Sequence, residues 1–167
     1  MGWIGMFPGH GSQEPGMGKE LLEKHPELLI DIFDESLGWS LKDVINEGDS
    51  DLIKKTNIAQ PYIFAISYCY GLEAIKKFGN ADALIGHSLG EYTALAISGF
   101  FDYVDALKII SVRGEAMQES VENSDTGMAA VLTTDLEATL KEIEVLNSQD
   151  IEVWISNYND ASQIVIS

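Results

Sequence analysis

Basic residues and cysteines are scarce in this sequence of 167 residues. Ten Lys and Arg stand against 27 Asp and Glu, which gives a formal net charge of −17. Nucleic-acid phosphates and anionic membrane surfaces repel a chain with this much negative charge. We therefore expect neither as a partner. The single cysteine, Cys69, excludes an internal disulfide and a multi-cysteine metal site.

The sequence also lacks a long apolar run and a basic N-terminal stretch. No run reaches the roughly 20 residues that a membrane-spanning helix needs. Residues 1–6 carry none of the positive charge that is typical of a signal peptide. We therefore expect a cytoplasmic protein. Apolar residues still make up 46% of the chain, which is enough for a substantial core.

The most informative motif lies in residues 81–99. Ala83–Ile85 is a short apolar run typical of a buried strand, Gly86–Gly90 follows as Gly-x-Ser-x-Gly, and a helix of small residues comes next. This context is typical of a nucleophile elbow, whose turn exposes the serine hydroxyl at the positive end of a helix. Ser88 is therefore a candidate nucleophile. The alternative is a capping box, in which Ser88 and Glu91 only cap the helix.

A glycine-rich loop, Pro8–Gly18, follows a first predicted strand, Trp3–Phe7. The loop does not match the phosphate-binding motifs, because Glu14 stands where Gly-x-Gly-x-x-Gly needs its third glycine and no Gly-Lys-Ser/Thr follows. Nucleophile elbows need a second backbone N–H to stabilise the negative charge that develops on the substrate oxygen. Gly9–Gly11 is the candidate source of this donor.

Arg113 is the only arginine of the chain and lies in a helix predicted from Tyr103 to about Val121. It falls on the apolar side of that helix, four residues from Ile109 and from Met117. Two interpretations stay open. The side chain either reaches solvent along the edge of this face, or forms a guanidinium fork in a pocket that binds a carboxylate at two points.

A serine nucleophile needs a base, and the sequence offers only His10, His25 and His87. His87 adjoins Ser88, and neighbouring side chains on an elbow point in different directions. His10 lies in the loop that is better suited to donating a backbone N–H hydrogen bond than to supplying a base. His25 is predicted on an outer helix. In hydrolases with this elbow the histidine follows the serine in the chain. No histidine follows His87 here, so the sequence predicts a nucleophile without a convincing base.

Other local patterns predict further elements. Residues 19–37 indicate an amphipathic helix that Pro26 interrupts. Gln60 is predicted to begin a long helix that runs to about Phe78, with proline in its first turn.

Residues 125–167 predict a different arrangement, with strands at Met128–Leu132, Ile151–Asn157 and Gln163–Ser167, a helix from Leu136 to about Leu146, and a turn from Tyr158. This β-α-β-β order begins the split βαβ unit, which runs β-α-β-β-α-β. One helix and one strand of that unit are absent from the sequence. We therefore expect the sequence to be part of a longer protein.

Six segments together resemble the malonyl-CoA:acyl carrier protein transacylases, a family that includes acyltransferase domains of polyketide synthases. They are Phe7–Gln13, Gln60–Pro61, Gly86–Glu91, Arg113–Gln118, Gly127–Val131 and Asn157-x-Asn159. The matches keep their order and spacing along the chain. They correspond to roughly the N-terminal half of a family member.

The resemblance implies an α/β fold in which a ferredoxin-like small subdomain is inserted into a hydrolase-like large subdomain, here truncated. Residues 1–124 would form part of the large subdomain, and residues 125–167 the first part of the small one. The histidine base of the family lies in the second half, outside this sequence.

The resemblance also implies an enzyme of fatty-acid or polyketide biosynthesis with no bound cofactor or metal. Ser88 would take a malonyl group from coenzyme A and pass it to the phosphopantetheine thiol of an acyl carrier protein. The backbone N–H groups of His10 and Leu89 would form the oxyanion hole, although the family often has glutamine at position 10. Arg113 corresponds to the residue that binds the malonyl carboxylate. Other positions that resemble pocket-lining residues are Gln60, Met117 and Asn157.

Two other functions are compatible with the sequence. One is an acyl hydrolase that acts on carrier-bound acyl groups through the same serine, with water as acceptor. The other is an inactive fragment that only docks a carrier protein or a complementary chain. The hydrolase differs from a transferase in its acyl acceptor, which is water rather than a thiol. A downstream segment that places a histidine near Ser88 would count against the inactive fragment.

Overall fold

The computed structural model of the protein describes residues 2–122 and 126–167. The chain divides into two units, Met1–Ser120 and Val121–Ser167. The boundary predicted between residues 124 and 125 falls on 123–125, outside the described residues. The division into residues 1–124 and 125–167 therefore stays a prediction.

A parallel pair of strands carries the elbow in the first unit. Strand β1 (Ile4–Phe7) pairs in register along its whole length with β2 (Ala83–Gly86). Parallel strands need a long crossover connection, and the residues between β1 and β2 provide it as a series of helices. Both strands predicted from short apolar runs are confirmed, but their predicted burial is wrong, because Ile4, Met6 and Ile85 are exposed.

The crossover contains four α-helices. They are α1 (Leu21–Lys24), α2 (Phe33–Leu37), α3 (Leu41–Glu47) and α4 (Thr56–Phe78), with a π-helical turn at Glu27–Ile32 and a 3-10 turn at Leu52–Lys54. The interruption predicted at Pro26 is confirmed, because α1 ends two residues before it.

Helix α4 forms the centre of the core. Every residue from Ala59 to Ser67 is buried, as expected for a helix whose residues are apolar on all sides. The helix begins at Thr56, so the start predicted at Gln60 is wrong, and Pro61 lies inside the helix. Pro61 is tolerated there because it follows the first turn closely, and its missing N–H removes a single helical hydrogen bond.

Two further helices follow β2, namely α5 (Leu89–Ile97) and α6 (Tyr103–Glu122). Leu107 and Ile110 of α6 are fully buried and belong to the same apolar core as α4. The predicted helix that contains Arg113 is thus confirmed. Within the described ranges, no helix is both long enough and apolar enough to cross a membrane.

The second unit has a small antiparallel sheet. Its elements are β3 (Ala129–Leu132), α7 (Leu136–Ser148), β4 (Ile155–Asp160) and β5 (Gln163–Ile166), and the strand order in the sheet is β3-β5-β4. The predicted β-α-β-β order is confirmed. The turn predicted from Tyr158 is wrong, since Ser162 donates two hydrogen bonds to Oδ1 of Asp160 and so fixes the chain reversal after that residue.

Candidate active site

Ser88 has a strained backbone conformation at the turn between β2 and α5. Its φ is 53° and its ψ is −109°, which a residue with a Cβ rarely adopts. The flanking glycines are needed for this turn. A Cβ on Gly86 would lie 2.0 Å from the backbone carbon of Gly90, and a Cβ on Gly90 would lie 2.2 Å from the carbonyl oxygen of Phe7. The turn has the geometry of a nucleophile elbow.

The Ser88 hydroxyl does not cap the helix that follows it. Helix α5 receives no side-chain hydrogen bond from Ser88 at its N-cap, which contradicts the capping-box interpretation. Ser88 is instead exposed, and its Oγ accepts a hydrogen bond from Nη2 of Arg113 over 3.0 Å.

The Arg113 guanidinium points towards the elbow. Nη2 donates to Ser88, Nη1 donates to Oε1 of Gln60, and the guanidinium carbon lies 5.8 Å from the centre of the Tyr92 ring. The side chain is half-buried. These contacts favour the pocket interpretation over a side chain that reaches solvent along the helix face. Tyr92 is a neighbour that the sequence did not single out.

Gln60 holds the guanidinium without neutralising it. This residue is fully buried on α4, and its Nε2 donates to Sδ of Met117 over 3.0 Å while its Oε1 faces Arg113. Met117 lies one turn after Arg113 on α6, so one amide reaches both side chains. An amide oxygen satisfies an N–H of the guanidinium but leaves its positive charge uncompensated.

A contact that the sequence did not reveal fixes α4 against α6. Oε1 of Gln118 accepts a hydrogen bond from the backbone N of Thr56 over 2.9 Å, and Oγ1 of Thr56 lies 3.1 Å from the same oxygen and 3.0 Å from the Gly114 carbonyl oxygen. Gly114 permits this approach, because a Cβ there would lie 2.8 Å from the Thr56 carbonyl oxygen. We call this contact the Thr56–Gln118 clamp. The only signal in the sequence was a glycine inside a helix.

The loop after β1 lies against the elbow. The backbone N of His87 donates to the carbonyl oxygen of Phe7 over 3.0 Å, and a Cβ on Gly9 would lie 2.7 Å from the His87 carbonyl oxygen. His10 follows Gly9 directly. Leu89 is the first residue of α5, so its N–H has no partner within the helix, and its side chain is buried in the core. The oxyanion role of His10 and Leu89 stays a prediction.

His25 and His10 lie in different surroundings. Nε2 of His25 lies 3.1 Å from Oε1 of Glu73. The pKa of His10 is lowered from its usual value of 6.5, mainly because neighbouring protein atoms exclude water from part of the ring, and further because Arg113 is positively charged. The ring keeps an exposed side. These influences keep His10 neutral beside the guanidinium at neutral pH.

The remaining predicted site residue, Asn157, lies in the second unit. It is exposed on β4 opposite Val165 of β5, and its contact with a substrate stays a prediction. Among residues 2–122 and 126–167, no group of three or more His, Cys, Asp or Glu side chains is arranged to hold a metal ion.

The sequence matches a known family and named relatives. The family described as acyl transferase domain matches residues 4–167. The malonyl CoA-acyl carrier protein transacylase of Bacillus subtilis is 41% identical over 165 residues, which cover 97% of this chain and 52% of that protein. The chain spans about half the length of the curated relatives it matches.

Solved structures have the same fold. The crystal structure of malonyl CoA-acyl carrier protein transacylase from Burkholderia pseudomallei has a TM-score of 0.89 at 31% identity and covers 99% of this chain and 56% of that one. A malonyl-transacylase in complex with a type II PKS acyl-carrier protein has a TM-score of 0.84 at 31% identity, over 99% of this chain and 54% of its own. The α/β fold predicted from the sequence is confirmed, and the chain belongs to the acyl transferase domain family.

Proposed function

We propose that the acyl transferase domain to which this chain contributes moves a malonyl group from coenzyme A to the phosphopantetheine thiol of an acyl carrier protein, through an ester on Ser88. The observation that carries the proposal is the 3.0 Å hydrogen bond between Arg113 and Ser88. This bond places the Arg113 guanidinium beside the Ser88 hydroxyl that would carry the acyl group. A carboxylate at the end of a short acyl chain on Ser88 would therefore be within reach of the guanidinium. The names of the relatives support the same substrates.

In the first half-reaction, Oγ of Ser88 attacks the thioester carbonyl carbon. A C–O bond forms, and negative charge develops on the carbonyl oxygen, which accepts hydrogen bonds from the backbone N–H groups of His10 and Leu89. The C–S bond then breaks, coenzyme A leaves as the thiol, and Ser88 carries a malonyl ester. In the second half-reaction the phosphopantetheine thiol attacks this ester, and cleavage of the C–O bond restores the Ser88 hydroxyl.

The Ser88 proton needs a base, which then returns it to the departing sulfur. We propose that a histidine supplies this base from the part of the domain that this chain does not span, because the curated relatives are about twice as long. No bound cofactor or metal takes part in this scheme. Coenzyme A and phosphopantetheine enter and leave with the substrates. We also propose a cytoplasmic location, which cell fractionation tests.

The proposed specificity depends on an uncompensated positive charge. Arg113 binds the malonyl carboxylate, and the neutral side chains of Gln60 and Met117 shape its surroundings. An acetyl group has no carboxylate to pair with the fork, so Arg113 discriminates against it. Asn157 resembles a pocket-lining position of the family, and we include it as a proposed substrate contact.

The proposal is tested with a single polypeptide that we call the fused domain. It joins this chain to the portion of the Bacillus subtilis relative that follows the matched stretch. Incubation with labelled malonyl-CoA and holo carrier protein is expected to give labelled carrier protein, and Ser88→Ala is expected to give none. Release of free malonate at the same rate with and without carrier protein would instead support the hydrolase. Equal labelling by Ser88→Ala would contradict both.

A further inference from the structure

Tyr92 contacts the guanidinium of Arg113 and has no part in the proposed reaction. The guanidinium carbon lies over the tyrosine ring, 5.8 Å from its centre, which is within the distance at which an aromatic face attracts a cation. Tyr92 follows Ser88 by four residues, and positions with this spacing share one face of a helix. The ring therefore lies one turn from the candidate nucleophile, beside the group that would bind the carboxylate.

The Tyr92 ring is held in place by the core of the first unit. The side chain is half-buried and packs against the buried apolar cluster. Because a tyrosine has only two side-chain torsions, packing of this kind fixes the direction of its ring at little entropic cost. The guanidinium of Arg113 thus lies against a fixed surface rather than a mobile side chain.

Three side chains contact the guanidinium in two different ways. Gln60 and Ser88 accept hydrogen bonds from Nη1 and Nη2, whereas Tyr92 contacts the group through its ring face and so occupies none of the N–H donors. The part of the chain that the structure describes supplies no carboxylate within ion-pair distance of Arg113. The negative face of the Tyr92 ring therefore steadies the cation without competing with a substrate carboxylate.

This contact matters most once Ser88 carries an acyl group. Its Oγ is then an ester oxygen, conjugated with the carbonyl group, and such an oxygen is a poor hydrogen-bond acceptor. Nη2 becomes free to bind the malonyl carboxylate, and Gln60 and Tyr92 remain as the described contacts of the guanidinium. Gln60 holds one nitrogen, so the direction of the rest of the group depends on the ring of Tyr92.

We propose that Tyr92 is a positioning residue of this site, whose ring face holds the Arg113 guanidinium in the orientation in which it meets the malonyl carboxylate. The proposal deepens the proposed function and rests on it, because the carboxylate belongs to the proposed substrate. Tyr92 acts only through Arg113. It therefore supports malonyl transfer and has little effect on acetyl transfer, in which no carboxylate is bound.

Kinetic measurements on the fused domain test this role. Tyr92→Leu removes the aromatic face, so kcat/KM for malonyl-CoA is expected to fall roughly three- to tenfold, while that for acetyl-CoA changes far less. Tyr92→Phe keeps the ring and is expected to retain most of the malonyl activity. Tyr68→Leu is the matched control, because Tyr68 is also half-buried on the core but contacts Phe64 and Tyr103. It should leave the ratio of malonyl to acetyl activity unchanged.

A double-mutant cycle shows whether Tyr92 acts through the guanidinium. In the Arg113→Ala background, Tyr92→Leu is expected to cause no further loss of malonyl transfer. The same loss in both backgrounds, or an equal loss of malonyl and acetyl transfer, would overturn the proposal. Either result would mean that Tyr92 shapes the pocket or the fold directly.

An NMR measurement on the fused domain does not depend on turnover. The Nε–H signal of Arg113 is identified as the one that Arg113→Lys removes. Ring currents move the signals of protons over an aromatic face upfield, so this signal is expected to move downfield in Tyr92→Leu and to stay in place in Tyr92→Phe. An identical position in all three proteins would overturn the proposal, even if malonyl transfer occurs. If the shift is present but no malonyl group is transferred, the proposed function alone fails.

Discussion

Nη2 of Arg113 lies 3.0 Å from Oγ of Ser88, although the two residues are 25 positions apart in the sequence. The candidate nucleophile and the only arginine are therefore already in contact. Nη1 of the same guanidinium is held by Gln60. In the proposed reaction, a malonyl carboxylate replaces the Ser88 hydroxyl as the acceptor of Nη2. The anchor is thus positioned before the substrate arrives, which reduces the entropy lost on binding.

Replacement of Arg113 by alanine should separate malonyl from acetyl transfer. The variant loses hydrogen bonds between charged groups, each of which contributes about 1.5–3 kcal/mol, so kcat/KM for malonyl-CoA should fall roughly 10- to 100-fold or more. Acetyl transfer makes no such bond and should change far less. Both rates are measured in the fused domain. An equal loss for both acyl groups would refute the carboxylate role.

Arg113→Lys is the matched control for charge. It keeps a positive charge but loses the planar fork, so it should recover only part of the malonyl activity. Full recovery would mean that charge alone, without bidentate geometry, selects the substrate.

The neutrality of Gln60 should be essential for binding malonyl-CoA. Gln60→Glu has nearly the same shape, but it puts a carboxylate next to Arg113, where it would compete with the carboxylate of the substrate. We expect KM for malonyl-CoA to rise at least tenfold in the fused domain, while KM for acetyl-CoA changes little. Gln60→Met is the uncharged comparison at this buried position. A KM for malonyl-CoA that is unchanged in Gln60→Glu would contradict the proposed role.

His10 should make the stability of the chain sensitive to acid. Its pKa is lowered in the folded chain, first by partial burial and then by Arg113, so the unfolded chain binds a proton at higher pH than the folded chain does. The stability that depends on neutral His10 is therefore fully present above the usual pKa of 6.5 and is lost as the pH falls through the folded value.

Comparison with His10→Gln isolates this effect, because the carboxylates titrate in both proteins. Between pH 7.5 and pH 5.5, the unfolding temperature of the unmodified chain should fall further than that of His10→Gln. Parallel curves for the two proteins would show that His10 has no lowered pKa.

The Thr56–Gln118 clamp should stabilise the contact between α4 and α6. Gln118→Ala removes the acceptor for the first N–H of α4, a loss comparable to that of a helix cap, about 1 kcal/mol. The unfolding temperature should fall by about 2–4 °C for a chain of this size. Thr56→Ser retains the hydroxyl and should be close to the unmodified chain.

A double-mutant cycle tests the clamp as a pair. Thr56→Val and Gln118→Ala both remove the contact between the Thr56 hydroxyl and Oε1 of Gln118, whereas Thr56→Val keeps the backbone N–H that donates to the same oxygen. Because the hydroxyl contact is shared, the combined effect should be smaller than the sum of the single effects. Strict additivity would show that the two side chains stabilise the chain independently.

The elbow was predictable because its determinants lie within five residues of each other. Gly86 and Gly90 must be glycine because backbone atoms lie about 2 Å from where their Cβ atoms would be. The spacing of the two glycines around Ser88 can be read directly from the sequence. The strands and the interruption at Pro26 were predictable for the same reason, since each depends on a short local pattern.

Contacts between distant segments could not be predicted in this way. Periodicity assigned Arg113 to one face of a helix but could not identify its partners, because Gln60 comes from another helix, α4, and Ser88 from the turn between β2 and α5. The clamp joins Thr56 and Gln118 across 62 residues. For the same reason the start of α4 was missed. Pro61 suggested the first turn of a helix, whereas α4 begins earlier, at Thr56, whose N–H is held by Gln118 from another helix.

The most direct test of the account is the mass of the acyl-enzyme. The fused domain is incubated with malonyl-CoA in the absence of carrier protein, quenched in acid, digested and measured by mass spectrometry. The account predicts a malonyl adduct on the peptide that contains Ser88, which disappears when holo carrier protein is added. A malonyl adduct on another residue, or the same adduct in Ser88→Ala, would contradict it.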